Sequence, residues 1–293
     1  MIANLYKRFC SVFFAAFLAL IAGSSAAQAE SPPVVQPVIL VSIAPQKFFV
    51  DQLAYDLVRT EALIPPSASV ETYEPTVQQL TTSSKAVAYL LLGHPSFPFE
   101  QVWLERLRRP QLQVVNCSAG MPLISDDPHI WVSPFTASFL ADCSARFLKT
   151  LLPQQAALIE TRLQTLRAQM KSVEEQSDRL LKPLRGKSFI IYHPELGYLA
   201  EHYGLRQLGL EHEGKEIGSR SLMEVISTGK TLGIKTILAQ PQYSAREAQT
   251  VAGELQADVV RIDPLSYNWI DNTQAIIKAL ADALNYVEPS HQN

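Results

Sequence analysis

The sequence predicts an α/β protein with two lobes, each a doubly wound parallel sheet, joined by a long rigid backbone helix. Two observations predict this architecture. Short apolar segments alternate with amphipathic helical segments in both halves of the chain, which is typical of parallel sheets covered by helices. Between the halves, residues 153–183 have the pattern of one uninterrupted amphipathic helix.

The central helix is predicted from the spacing of its apolar residues. They recur at steps of three and four, with one turn skipped at Ser177, which places them on one helix face. The apolar stripe comprises Ile159, Leu163, Leu166, Met170, Val173 and Leu180. At 1.5 Å per residue this helix would be roughly 45 Å long. We interpret it as a strut across two lobes, because a single one-sided stripe argues against a coiled coil.

The remaining elements alternate along the chain. A continuous apolar run such as AVAYLLLG at 86–93 is typical of a parallel strand buried on both faces. The predicted strands are 38–43, 57–64, 86–93, 112–115, 188–192, 206–210, 236–239 and 259–262. The predicted helices are 46–54, 76–85, 99–109, 134–151, 195–203, 221–232, 244–255 and 270–286. Residues 211–219 are predicted to form a charged, glycine-containing loop.

The first 29 residues have the features of a secretory signal peptide. Lys7 and Arg8 precede an apolar segment at 10–22, and Ala27-Gln28-Ala29 is a small-residue cleavage site. An uncleaved anchor is the alternative, but the apolar segment is shorter than the about 20 residues that a membrane span needs. The predicted organisation is a signal peptide (1–29), an N-terminal lobe (30–151), a linking helix (152–184) and a C-terminal lobe (185–293).

Composition limits the classes of partner and the cellular compartment. The 293 residues carry a formal net charge of −3, with no cluster of Lys and Arg, so nothing indicates nucleic-acid binding. The signal peptide predicts a periplasmic protein, which we expect to be a monomer. In an oxidising compartment Cys117 and Cys143 are compatible with a disulfide, but their spacing alone leaves two free thiols as the alternative.

Three candidate polar side chains are expected near the carboxyl ends of strands, where ligands bind in open α/β sheets, and a fourth lies in a loop before a helix. His193 and Asp263 each directly follow a predicted strand, Glu71 lies in a loop after a strand, and His129 lies in a loop before a helix. Two imidazoles and two carboxylates that converge would form a site for a divalent transition metal. The alternative for each of these residues is a purely structural role in its loop.

Several segments resemble the solute-binding proteins of zinc and manganese ABC transporters. In chain order they are PP-x5-YEP at 65–75, DPHIW at 127–131, YHPELGYLAEHYGL at 192–205 and IDPL at 262–265. The resemblance extends from about residue 38 to 285, and DPHIW and HP-x-x-GY are its more specific motifs. It implies two α/β lobes joined by a long helix, one metal ion bound between them, and delivery of that ion to an ABC permease.

By this resemblance His129, His193 and Asp263 occupy three metal-ligand positions. The fourth position departs from the family pattern, because this chain has Glu71 where the family usually has histidine. Three alternatives remain open: Glu71 binds the metal, water completes the coordination, or His94 takes this place. Gln240 departs as well, since many relatives have glutamate there.

The metal and the reaction class also have alternatives. Replacing an imidazole by a carboxylate favours Mn²⁺ or Fe²⁺, but zinc has the higher intrinsic affinity, so we expect Zn²⁺ first. A secreted metal-dependent hydrolase could use the same cluster with Glu71 as its base, and a drifted family member could bind a non-metal ligand. The sequence contains neither HExxH nor GxSxG, so we predict a binding protein rather than an enzyme.

Overall fold

The computed structural model describes residues 36–107, 109–212 and 215–285. The signal peptide predicted over 1–29 lies outside these ranges. No helix in the described ranges is both long and apolar enough to cross a membrane. The predicted fold class is confirmed, with two parallel four-stranded sheets and a long helix between them in the chain.

The first lobe is built from four parallel strands with connecting helices. Its elements are β1 (Val38–Val41), α1 (Ala44–Ala54), β2 (Arg59–Ala62), α2 (Val77–Ser83), β3 (Ala88–Leu91), α3 (Pro98–Leu107), β4 (Gln113–Asn116) and α4 (Pro134–Leu151). The strand order is β2-β1-β3-β4. The central strand β3 is buried along its whole length, as its apolar sequence predicts.

The long helix α5 (Ala156–Leu181) continues through short 3₁₀ turns at both ends, Pro153–Gln155 and Lys182–Leu184, so the predicted span is confirmed. Its apolar stripe is not interrupted at Ser177, which is fully buried and donates a hydrogen bond to the Val173 carbonyl at 2.8 Å. A serine whose hydroxyl bonds the carbonyl four residues earlier can be buried with its polar group satisfied. The stripe then ends at the buried Leu181 rather than at Leu180.

The second lobe repeats the topology of the first. Its elements are β5 (Ser188–Ile191), α6 (Gly197–Tyr203), β6 (Arg206–Gly209), β7 (Glu211–His212), β8 (Lys215–Glu216), α7 (Ser219–Leu232), β9 (Thr236–Ala239), α8 (Ala245–Leu255), β10 (Asp258–Arg261) and α9 (Trp269–Leu284). The strand order is β10-β9-β5-β6. In each lobe the winding reverses beside the first strand, between β1 and β3 or between β5 and β9, which is where such sheets bind ligands.

The predicted loop over 211–219 is wrong in part, because β7 and β8 form a short antiparallel pair. Two-residue strands are too short to show an alternating pattern, and their pairing is decided by tertiary contacts.

Of the two alternatives for the cysteines, the structure has the disulfide: Cys117 and Cys143 are bonded, with their Cα atoms 5.4 Å apart. The bond links the residue after β4 to the middle of α4.

Two buried tryptophans connect the lobes. The Trp131 indole donates to the Pro264 carbonyl at 3.0 Å, and the Trp269 indole donates to the Trp131 carbonyl at 2.6 Å. The Phe49 ring of α1 packs on Trp269 with ring centroids 5.3 Å apart. Helix α5 also packs on α1 and α4 of the first lobe and on α9 of the second. The loops that enter the space between the lobes are therefore held from both sides.

A buried carboxylate in the first lobe leads to a prediction on pH and stability. Glu100 accepts hydrogen bonds from the Ser42 hydroxyl and from the backbone N–H groups of Leu92 and Gly93. Burial raises the pKa of Glu100 to about 7, although these hydrogen bonds oppose the shift. Between pH 4.5 and 7 the folded state therefore binds more protons than the unfolded state.

We expect the free energy of unfolding to fall by roughly 3 kcal/mol through this window because of Glu100 alone. Glu100→Gln removes this contribution, so the stability of the parent relative to this variant should decrease as pH rises. Urea unfolding across the pH range measures the difference, with exposed Glu105→Gln on the same helix as the control. Parallel curves for parent and Glu100→Gln would contradict the assignment.

Candidate metal centre

Three of the four predicted ligands converge between the lobes. Glu71 comes from the loop between β2 and α2, His129 from the segment before α4, and His193 from the turn after β5. One donor atom from each lies within 4.8 Å of the others. Both histidines are only 3% exposed. The sequence therefore identified residues from both lobes that meet at one buried point.

The donor atoms form a compact triangle. Glu71 Oε1 lies 3.2 Å from His129 Nε2 and 2.9 Å from His193 Nε2, and the two Nε2 atoms are 3.1 Å apart. Four ligands at about 2.0–2.1 Å from a tetrahedral ion are separated by about 3.3 Å. Six ligands at a similar distance from an octahedral ion are separated by about 3.0 Å. The triangle has the size of one face of either coordination polyhedron.

Each histidine is held through its other ring nitrogen by a carboxylate. Asp127 Oδ1 lies 2.7 Å from His129 Nδ1 and also accepts the His129 backbone N–H at 2.9 Å. Glu211 Oε1 bonds His193 Nδ1. A carboxylate accepts hydrogen bonds, so Nδ1 carries the proton in both rings and Nε2 faces the centre. Carboxylate–histidine pairs of this kind orient imidazole ligands and increase their basicity.

The two histidines and Glu71 shift one another's pKa values. Burial disfavours an imidazolium, but the carboxylates of Asp127 and Glu71 outweigh it and raise the pKa of His129 to about 10. Burial acts likewise on His193, and Glu211 and Glu71 raise its pKa to about 9. Burial alone would raise the pKa of Glu71, but the two histidines hold it well below its usual range. Glu71 is therefore ionised, and a metal ion must displace protons from the imidazoles.

The second oxygen of Glu71 is held by two hydroxyl groups. Ser69 Oγ and Tyr243 Oη both donate to Glu71 Oε2 at 2.7 Å. The Tyr243 ring also stacks on His193, with centroids 4.7 Å apart and an angle of 20°. Because Oε2 is occupied, Oε1 is the oxygen turned towards the histidines. Sequence reasoning missed Ser69 and Tyr243, and neither lies in a pattern that could have indicated this contact.

Gln240 holds the backbone of His193. Its Oε1 accepts the His193 N–H at 3.1 Å, and its Nε2 donates to the His193 carbonyl at 2.7 Å. The two residues follow β9 and β5, the neighbouring strands at the point where the winding of this lobe reverses. An ionised carboxylate could accept the first of these bonds but could not donate the second. The amide found at this position thus satisfies both backbone groups.

A further carboxylate lies beside the histidines. Glu195 is buried, and burial raises its pKa to about 7, against the opposing effect of His193 and His129. Its Oε1 has no hydrogen-bond partner among the described residues. Glu195 belongs to the HPELGY segment, but the sequence analysis gave it no role. Glu195 therefore binds a proton more readily than an exposed carboxyl group does.

Asp263 lies outside the three-residue cluster. Its Oδ1 accepts hydrogen bonds from Gln242 Nε2 at 2.8 Å and from the Leu265 N–H at 3.2 Å. Gln242 Nε2 also donates to the Pro66 carbonyl of the first lobe at 2.8 Å. Asp263 as a fourth ligand stays a prediction, and ligation through Oδ1 would require Gln242 to give up this contact.

His94 has a different environment from the three converging residues. It is 3% exposed, its Nε2 lies 2.9 Å from the Ile124 carbonyl, and its Nδ1 accepts the Ser96 N–H at 3.0 Å. Since both ring nitrogens are engaged, we assign His94 a structural role. It joins the loop after β3 to the segment that leads to His129.

Two α/β lobes with a buried, carboxylate-supported pair of histidines between them define a solute-binding protein of the metal-binding class. The chain belongs to the ZnuA family, described as zinc-uptake complex component A, periplasmic, whose sequence profile matches residues 39–291. The family consists of solute-binding proteins and not of enzymes.

Similar proteins come from both sequence and structure comparison. A putative metal-binding protein of Thermotoga maritima is 24% identical, over 85% of this chain and 91% of its own length. A zinc-bound deletion mutant of ZnuA is 32% identical with a TM-score of 0.80, covering 87% of this chain and all of that chain (100%). The Mn²⁺ complex of FpvC from Pseudomonas aeruginosa shares the fold, with a TM-score of 0.75, 18% identity and coverage of 85% and 98%.

The contact between Glu211 and His193 predicts a measurable effect on metal affinity. Glu211→Ala should weaken metal binding by about 10–100-fold, because His193 loses the partner that orients it. Glu211→Gln should weaken it less, since the amide oxygen still accepts the Nδ1 hydrogen bond. Zinc titration against a competing chromogenic chelator measures both variants, with exposed Glu254→Ala as the control. Unchanged affinity in Glu211→Ala would show that this carboxylate does not support the centre.

Proposed function

We propose that this protein captures one divalent transition metal ion between its lobes and delivers it to an ABC permease. The observation that carries the proposal is the triangle of Glu71 Oε1, His129 Nε2 and His193 Nε2, with sides of 2.9–3.2 Å. Both histidines present a single nitrogen to the centre because carboxylates hold the other. Three fixed donors from two lobes are suited to holding a metal ion rather than an organic solute.

We propose Asp263 as the fourth ligand. It lies two residues after the end of β10, in the same sheet as β5, and His193 lies two residues after the end of β5. The Trp131–Pro264 hydrogen bond fixes the residue after Asp263 to a neighbour of His129. Ligation through Asp263 Oδ1 would require Gln242 to give up its hydrogen bond to that oxygen. Two imidazoles and two carboxylates would then neutralise a divalent ion.

Zinc is the proposed cargo, with manganese or iron next. Two imidazoles suit zinc, and zinc lies above manganese in intrinsic affinity for nitrogen and oxygen ligands. The carboxylate of Glu71, in place of a third imidazole, makes the donor set harder and improves the relative affinity for Mn²⁺ and Fe²⁺. The choice between these ions is therefore a question of competition, which an experiment with both ions present answers.

The proposed location is the periplasm. The sequence has a signal peptide pattern, and the Cys117–Cys143 disulfide suits an oxidising compartment. Membership of a periplasmic uptake family supports the same location. The membrane permease, as the recipient of the ion, is the proposed partner.

The first test of the function is metal content. The chain without residues 1–29, stripped of metal and offered equal Zn²⁺ and Mn²⁺, should retain one ion per molecule, mainly zinc, by elemental analysis. Glu71→Ala should reduce affinity at least tenfold because it removes one of the three converging donor atoms. Exposed Glu74→Ala, in the same loop, is the matched control. A parent that retains no metal would refute the proposed function.

A separate test addresses the fourth ligand. Asp263→Ala should weaken zinc binding at least tenfold, whereas Asp258→Ala, at the exposed start of the same strand, should leave it unchanged. Competition titration at one pH compares the two. If both variants bind zinc as tightly as the parent, the fourth coordination position belongs to water or another group. The proposal of three donors from Glu71, His129 and His193 would not be affected by that result.

A further inference from the structure

Helix α6 of the second lobe begins against the segment of the first lobe that carries His129. The Tyr198 hydroxyl accepts the Ile124 N–H at 3.1 Å and donates to the Asp127 carbonyl at 3.0 Å. These two hydrogen bonds fix the first turn of α6 at a set distance from the backbone of residues 124–127. The segment therefore cannot move away from α6 without losing both bonds.

Gly197, the first residue of α6, faces the side chain of Asp127 across this contact. A Cβ atom at Gly197 would lie 2.0 Å from Asp127 Oδ2 and 3.2 Å from its Cγ. Non-bonded heavy atoms make favourable contact at roughly 3.5–4.0 Å. Any side chain at position 197 would therefore occupy the space that the Asp127 carboxylate now fills.

The Asp127 carboxylate cannot move aside without disturbing its hydrogen bonds to His129. Its two oxygens belong to one rigid planar group, and Oδ1 is bonded to both His129 Nδ1 and the His129 backbone N–H. A displacement of Oδ2 by more than 1 Å therefore also displaces Oδ1. His129 would then lose the partner that sets its tautomer and the direction of its Nε2.

We propose that Gly197 is a positioning residue of the metal centre, whose missing side chain allows Asp127 to hold His129. The inference rests on the proposed function and extends it to a residue that touches no ligand atom. Gly197 acts across the lobes: a helix of the second lobe shapes the support of a ligand from the first. The effect is transmitted only through the Asp127 carboxylate.

The test is a double-mutant cycle for zinc affinity. Gly197→Ala alone should weaken binding by about 10–100-fold, the effect expected when the partner of a histidine ligand is lost. In the Asp127→Ala background, where the carboxylate is absent, the same Gly197→Ala change should have little further effect. The matched control is Gly253→Ala, because Gly253 lies in helix α8 and a Cβ atom added there would meet no atom within 4 Å.

Each outcome decides the proposal. Equal losses from Gly197→Ala in both backgrounds would mean that it disturbs α6 by a route independent of Asp127, and the proposal would be wrong. If Gly197→Ala alone does not fold, recovery of folding in the double variant supports the steric conflict with Asp127, and failure of both overturns it. If the parent binds zinc and Gly197→Ala binds equally, only this inference fails; if the parent binds none, the proposed function fails with it.

A spectroscopic measurement separates positioning from general destabilisation. In the zinc-loaded parent, the Nδ1–H of His129 should give a hydrogen-bonded imidazole proton resonance, assigned by its loss in Asp127→Ala. Gly197→Ala should shift or remove this resonance, while the corresponding His193 resonance stays in place. An unchanged His129 resonance in Gly197→Ala would contradict the proposal even if affinity falls.

Discussion

The hydrogen bonds from the histidine Nδ1 atoms to Asp127 and Glu211 are the interactions on which the candidate metal centre depends. Without them each buried imidazole could rotate or change tautomer, and Nε2 would have no fixed direction. Each carboxylate is in turn part of a local structure. Asp127 lies two residues before the histidine that it supports, and Glu211 lies in a short strand pair of the second lobe. The directions of the two Nε2 atoms are thus determined by the local structure that holds Asp127 and Glu211.

Contacts between the two lobes hold the loops that carry these residues in fixed relative positions. Glu71 bonds Tyr243 of the opposite lobe, Asp127 bonds Tyr198, and Trp131 bonds the chain beside Asp263. The long helix packs against helices from both lobes. So many contacts across one cleft favour small local adjustments over a large hinge motion.

Charge explains why a cation fits this centre. Glu71, Asp127 and Glu211 surround two buried imidazoles, and Glu195 adds a carboxyl group whose pKa burial raises. In the absence of metal the imidazoles compensate these carboxylates by holding protons, as their raised pKa values show. A divalent ion in place of these two protons would keep the same charge balance. An anionic solute would meet an unfavourable field, since the groups that hold the histidines are themselves carboxylates.

The sequence by itself determined the fold class and the long helix, and its resemblance to metal-transporter binding proteins singled out Glu71, His129, His193 and Asp263, of which the first three converge. Helical period and buried apolar strands are local signals, which is why the fold class could be predicted without knowledge of tertiary contacts. Only the tertiary structure decided that Glu211 supports His193, that Tyr243 holds Glu71, that Gln240 needs its amide, and that Gly197 leaves room for Asp127. These contacts join residues far apart in sequence through side-chain packing and hydrogen bonding across lobes, and no local pattern encodes such distances.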